Sequence, residues 1–273
     1  MAGYSMPSGL PPATRAVPRQ AWREAWQHAE REVAEEAPVA LTYDGATYGV
    51  MMATPADLED FAYGFSLTEG IISQATDIDG LEVAPGPDGI DLRIWLRAAR
   101  GDALAGRRRR LTGPVGCGLC GVESLRQASR EVPAVSGGAR IDVASIAAAL
   151  QALAPAQVLN RRTGAVHAAA FWCDGLVALR EDVGRHNALD KLAGALARQA
   201  IAPADGLLLM TSRLSVELVQ KAAMMGCGIL VAISAPTALA LEVAQKAGMT
   251  LVGVARADGF EVFTHPYRVV AAL

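Results

Sequence analysis

The sequence predicts an α/β protein, with a parallel βαβαβ unit at its carboxyl-terminal end and a smaller α+β unit ahead of it. Three observations carry that reading. Residues 206–210, 228–234 and 250–255 are continuous apolar runs of strand length, the pattern of strands covered on both faces. Between them, Leu214, Leu218, Ala222 and Met225, then Leu239, Val243 and Ala247 after Pro236, keep helical spacing, and such alternation requires a parallel sheet with right-handed crossovers. Far upstream, Asp44-Gly45 stands between two β-rich runs, a strong hairpin signal.

In chain order, residues 1–35 are expected to form a poorly ordered tail. Trp22, Trp26 and Ala29 can line one face of a short docking helix there. Residues 36–105 form the α+β subdomain. Strands over 38–43 and 46–53 flank the Asp-Gly turn, and Thr54-Pro55 is expected to cap a helix. Leu58, Phe61, Ala62, Phe65 and Leu67 give that helix its apolar face, and Glu69-Gly70 ends it. A second strand pair follows over 80–84 and 90–97, where Ile90, Leu92, Ile94 and Leu96 alternate with other residues. Residues 106–122 read as a mobile loop, and 123–273 as the α/β subdomain that binds a cofactor. Within the latter, 122–130 and 143–153 read as helices and 176–179 as a short strand.

Composition narrows the function. At 273 residues the chain can bury a substantial core. A net charge of −3 argues against general nucleic-acid binding, so any anion site must be local. Four cysteines are too few for a disulfide framework in a chain of this size, which suggests a reducing compartment. No apolar run is long enough to span a bilayer. A cytoplasmic protein without membrane or nucleic-acid partners is expected.

The chemistry centres on Gly113-Pro-Val-Gly-Cys117-Gly-Leu-Cys120-Gly121, directly after Arg107 to Arg110. Glycine lets the backbone turn and lets a partner approach. Nearby guanidinium groups and a following helix terminus favour a thiolate over a thiol. Cys117 and Cys120 therefore read as a reactive dithiol, with a zinc ligand pair or buried cysteines as the alternative. The literal G-x-G-x-x-G match lacks the preceding strand of a dinucleotide fold. A deaminase zinc site would need Pro before the first cysteine, where this chain has Gly116. Cys173 and Cys227 are single residues in apolar surroundings, so no metal site is expected.

Two further clusters read as functional. In residues 180–191, His186 and Asp190 lie four apart and are expected to share a helix face near Glu181 and Asp182. A carboxylate there would fix the imidazole and raise its pKa, as proton handling near a thiol requires. His167 is divided between core and site. The segments leaving the apolar strands carry Ser212 and Arg213, residues 234–237, and residues 256–259. That edge of an open α/β sheet binds ligands, and hydroxyls, arginines and helix amino ends there suit phosphates.

Taken together, these motifs resemble those of the formate dehydrogenase accessory sulfurtransferases, the FdhD/NarQ type. The resemblance runs from about Glu35 to the end. It includes Met52-Ala-Thr-Pro-Ala-Asp-Leu-Glu, Gly64-Phe-Ser-Leu-Thr-Glu-Gly-Ile-Ile, Cys-Gly-Leu-Cys-Gly, Glu-Asp-Val-Gly-Arg-His-Asn-Ala-Leu-Asp-Lys, Thr-Ser-Arg-Leu-Ser-Val-Glu-Leu-Val-Gln-Lys and Thr264-His-Pro. The resemblance implies a cytidine-deaminase-like core and a homodimer. It also implies that persulfide sulfur from a cysteine desulfurase passes to the molybdenum cofactor, as bis(molybdopterin guanine dinucleotide), for formate dehydrogenase. Cys117 would carry the sulfur with Cys120 assisting. Val254, Ala255, Arg256, Ala257, Asp258 and Gly259 would contact the cofactor, joined by Ser212, Arg213 and His186. The rival readings are a cofactor-binding chaperone with structural cysteines, and a dithiol oxidoreductase.

Overall fold

Among the described residues the first element is a hairpin, in a stretch where a short docking helix was expected. A computed structural model describes residues 9–97, 132–256 and 258–271. In it β1 (Thr14–Arg23) and β2 (Ala25–Ala34) pair antiparallel along their whole length, turning at Glu24. The docking helix expected around Trp22, Trp26 and Ala29 is corrected: these residues lie in the two strands. The ten cross-strand pairs outweigh the helical propensity of the alanines and glutamates.

The hairpin predicted around Asp44-Gly45 forms as β3 (Ala37–Tyr43) and β4 (Ala46–Ala53). Both turn residues have positive φ, 49° and 79°, which Asp and Gly tolerate best. Helix α1 (Leu58–Thr68) follows. Its N-cap is Asp57 rather than Thr54, which is drawn three residues upstream by bonds to the carboxyl-terminal unit. Strands β5 (Ile78–Gly86) and β6 (Gly89–Leu96) complete a four-stranded sheet in the order β4-β3-β6-β5, with β3 and β6 parallel. Ile90, Leu92, Ile94 and Leu96 face α1 and pack with Phe61 and Phe65.

Beyond residue 132 come β7 (Ile141–Asp142), α2 (Val143–Ala156), α3 (Val158–Thr163), β8 (His167–Trp172), β9 (Leu176–Asp182) and α4 (Arg185–Arg198). The expected βαβαβ run follows as β10 (Leu207–Met210), α5 (Val216–Met224), β11 (Ile229–Ala232), α6 (Ala238–Ala247) and β12 (Thr250–Arg256). Its three strands are parallel. Every residue of β10 and β11 is buried, which explains their unbroken apolar sequence. Finally β13 (Gly259–Val262) turns back on β12, and β14 (Val269–Val270) pairs with β7.

The six-stranded sheet runs β13-β12-β11-β10-β8-β9, with β8 antiparallel to both neighbours. Alternate side chains divide the core. Leu208, Leu230 and Leu251 pack on one face with Leu192, Leu218 and Ala244 from α4, α5 and α6. Leu207, Val231 and Val252 pack on the other with Ile146 and Leu153 of α2. The two units join where α1 crosses α4 at Gly64 and Gly194. A Cβ on Gly64 would fall 1.6 Å from the Asp190 carbonyl oxygen, and one on Gly194 would fall 1.9 Å from that of Asp60. Only glycine admits backbones this close.

Candidate functional site

The pairing pattern gathers the chemistry-bearing residues on one sheet edge. His167 opposes Asp182, Ala169 opposes Met210, and Arg256 opposes Gly259. The amino ends of β8 and β13 therefore lie beside the carboxyl ends of β9, β10, β11 and β12. The segments leaving the parallel strands are laced together. The Leu214 amide donates to the Ala235 carbonyl at 3.4 Å, Thr237 to Leu214 at 3.0 Å, and Val254 to Ser234 at 3.3 Å. Thr211 Oγ1 accepts the Ala168 amide at 2.8 Å, tying β8 into the same edge.

Helices α4, α5 and α6 all begin here, with Gly184, Ser215 and Thr237 at their N-caps. Thr237 caps in the usual way, accepting the Ala240 amide. Three helix amino ends give the edge a positive electrostatic bias, and Arg185, Arg213 and Arg256 add formal charge. Arg213 is exposed, whereas the Arg256 guanidinium bonds back to the Ile233 and Ala255 carbonyls. Such an edge can receive an anionic, phosphate-bearing ligand.

His186 sits in the first turn of α4. Its Nε2 is 3.5 Å from Ser215 Oγ and 3.9 Å from Glu217 Oε2. Burial, with Arg185 and Lys221 nearby, pushes its pKa down to about 4 against the opposing pull of Glu217 and Glu69. His167 is lowered in the same way, by burial and then by Arg185. Both imidazoles are neutral near pH 7. This corrects the expectation that Asp190 would raise the His186 pKa. Asp190 accepts instead from Lys221 Nζ at 3.0 Å and Thr68 Oγ1 at 2.6 Å.

The rest of the polar 181–191 run braces the fold. Glu181 accepts the Leu159 and Asn160 amides at the start of α3, both at 2.8 Å. Asp182 is wholly buried and accepts from the Thr54 and Gly184 amides, Asn187 Nδ2 and Lys191 Nζ. Lys191 and Asn187 also donate to the Thr54 and Met52 carbonyls. These bonds hold the end of β4 against the start of α4. They are why Thr54 does not cap α1.

The model of the FdhD/NarQ family matches residues 34–270. The chain belongs to the FdhD/NarQ family. Its relatives include a protein of Agrobacterium fabrum named sulfur carrier protein FdhD, 54% identical over 260 residues that cover 94% of this chain and 96% of the relative. A protein of the same name from Bordetella petrii is 51% identical over 86% of each chain. A crystal structure assigned as a formate dehydrogenase accessory protein from Desulfotalea psychrophila superposes with a TM-score of 0.76 at 26% identity, covering 95% of this chain and all of that one.

In this FdhD/NarQ chain the residues expected at the site, the half-buried His186 apart, divide three ways. Cys117, Cys120 and Ala257 lie outside the described residues, as do Arg107 to Arg110 and the helix expected over 122–130. Val254, Arg256, Asp258 and Gly259 are exposed at the β12–β13 turn, and Arg213 is exposed after β10. Ala255 and Ser212 are buried, and Ser212 Oγ donates to the Arg213 carbonyl. Arg185 and Ser215 join the edge without having been singled out from sequence. The signal for Ser215 was a serine directly before a helical run. Cys227 is buried and its thiol is pushed up to about 11 by that burial, which makes it unreactive, while Cys173 is partly exposed. Among the described residues no helix is long and apolar enough to cross a membrane.

Proposed function

We propose that the chain is a sulfur carrier and sulfurtransferase. It accepts persulfide sulfur from a cysteine desulfurase on Cys117, assisted by Cys120. It then delivers that sulfur to the molybdenum cofactor, in its bis(molybdopterin guanine dinucleotide) form, for formate dehydrogenase. The observation that carries this reading is near-full-length identity of about half with proteins named sulfur carriers. The accessory role assigned to the Desulfotalea psychrophila protein points the same way.

Chemically, the Cys117 thiolate attacks the terminal sulfur of the donor persulfide, the donor's own cysteine leaves as a thiolate, and Cys117 holds the extra sulfur. Arginines and glycines around the dithiol in sequence favour the thiolate and allow close approach. The sheet edge, with three helix amino ends and Arg185 and Arg213, supports binding of the dinucleotide phosphates, with residues 254–259 and His186 beside them. The mixed sheet, with β8 antiparallel to both neighbours, supports the cytidine-deaminase-like reading of the core. A cytoplasmic homodimer completes the proposal.

Intact-protein mass spectrometry after incubation with an active desulfurase and cysteine tests it. The expected result is a reductant-labile gain of one sulfur that maps to Cys117 and disappears in Cys117→Ala. No gain beside a working desulfurase overturns the persulfide role. If Cys117→Ala still matures formate dehydrogenase, the chain is a cofactor chaperone with structural cysteines.

A further inference from the structure

Arg185, Arg213 and Arg256 share the ligand edge of the six-stranded sheet, but not in the same state. The Arg256 guanidinium bonds back to the Ile233 and Ala255 carbonyls. Arg213 is exposed, where salt screens its charge. Arg185 is half-buried at the first position of α4. Its Nε is fully buried and has no hydrogen-bond partner among the described residues. Buried donors are nearly always paired, and one on a charged group is costly to leave unpaired. An oxyanion is the partner that a guanidinium fits best.

Two imidazoles lie within reach of this charge. His167 opens β8 and stands opposite Asp182 of β9, three residues before Arg185. His186 follows Arg185 directly, with Nε2 3.5 Å from Ser215 Oγ and 3.9 Å from Glu217 Oε2. After burial, Arg185 is the next cause holding both rings neutral near pH 7. The other charged groups facing His186 are Lys221 on α5, which opposes its protonation, and Glu217 and Glu69, which favour it. Asp182, opposite His167, is already held by Lys191, Asn187 and two backbone amides.

We propose that Arg185 anchors an oxyanion, such as a phosphate, at this edge, and that His167 and His186 make its binding proton-linked. Calling that oxyanion a cofactor phosphate rests on the sulfur-carrier reading; the coupling itself does not. An anion beside Arg185 offsets the positive charge that keeps both rings neutral, and sets negative charge within their reach. Each ring then takes up a proton more readily. By linkage, the anion binds more tightly as pH falls.

Sulfate is the probe, because its charge is constant over the range, and chloride holds the ionic strength. Proton NMR of the full chain follows its four histidines. His28 on the hairpin and His265 at the opposite edge of the sheet serve as internal controls. Sulfate should raise the proton affinity of His186 and His167 by about tenfold or more, and leave the control resonances in place. Sulfate affinity should rise by at least that factor between pH 7 and pH 4. Arg185→Gln should raise the proton affinity of both rings without sulfate and abolish the sulfate response. Arg185→Lys, which keeps the charge but not the planar fork, should keep both rings neutral and lose most of the response. The proposal is overturned if sulfate moves neither site histidine in wild type, if the controls move as far, or if Arg185→Gln responds as wild type does. Persulfide loading of Cys117, measured alongside, answers separately for the sulfur-carrier reading: failed loading with the histidine response intact sinks that reading alone.

Discussion

His186 makes an acid-sensitive contribution to stability. In the unfolded chain its imidazole titrates near the ordinary value of about 6.5. In the fold, burial and the neighbouring Arg185 and Lys221 hold it down to about 4, against Glu217 and Glu69. Protonation therefore favours the unfolded chain. The stability linked to this group is fully present above pH 6.5, falls as pH drops through that window, and is gone below about 4. His167 acts in the same direction. We predict that His186→Gln, whatever its melting temperature at pH 7, loses less of it between pH 7 and pH 4.5 than wild type does. Parallel melting curves for the two proteins across that range would show that the histidine is not the titrating group. The motif around His186 was legible as special, but its partners were not. Helical spacing placed Asp190 beside it, whereas Lys221 on α5 and Thr68 on α1 claim that carboxylate from elements distant in sequence.

At the scale of elements, patterns with a local cause were readable. Asp44-Gly45 fixes its hairpin by backbone conformation, and the buried strands β10, β11 and β12 announce themselves because both faces are covered. Residues 14–34 misled because their alanines, glutamates and arginines suit a helix, while cross-strand pairing decides the outcome. The α1–α4 crossing was equally hidden, since a glycine within a helix gives no sign of what lies against it. That crossing makes an opposed-sign prediction. In an exposed helix, Gly194→Ala would stabilise by about 1 kcal/mol. Here the new methyl meets the Asp60 carbonyl, a backbone atom that no rotamer change can move aside. Overpacking of this kind costs about 3 kcal/mol or more, so net destabilisation of about 2 kcal/mol is expected. A urea titration reads it as a lower midpoint with unchanged slope, and a raised midpoint would mean that the helices are further apart.

For the whole molecule, the question is what makes the two units one cooperative body. Lys191 and Asp182 are fully buried and paired at 2.6 Å, and both also bond Thr54 of the amino-terminal unit. Lys221 and Asp190 form a second bridge, reaching Thr68 and Glu69. Burial opposes the Lys221 charge, but Asp190 and Glu69 outweigh it and raise its pKa. Such pairs add little net stability over apolar packing, yet removing one partner strands the other and costs about 3–5 kcal/mol. The two halves of the first pair are not equivalent. Without Lys191, Asp182 keeps the Thr54 and Gly184 amides and Asn187 Nδ2. Without Asp182, the Lys191 ammonium keeps, among the described residues, only the Thr54 carbonyl and the face of Phe61, 5.9 Å away. Asp182→Ala should therefore destabilise more than Lys191→Met, and should loosen the junction specifically. Two of the chain's four tryptophans report on opposite sides of it, Trp95 in β6 and Trp172 in β8. With each retained as the sole fluorophore, wild type should give coincident denaturation curves. In Asp182→Ala the Trp95 midpoint should fall below the Trp172 midpoint, because the smaller four-stranded unit loses its anchor first. Coincident curves in that variant would locate the coupling in the Gly64–Gly194 crossing instead of the buried charges.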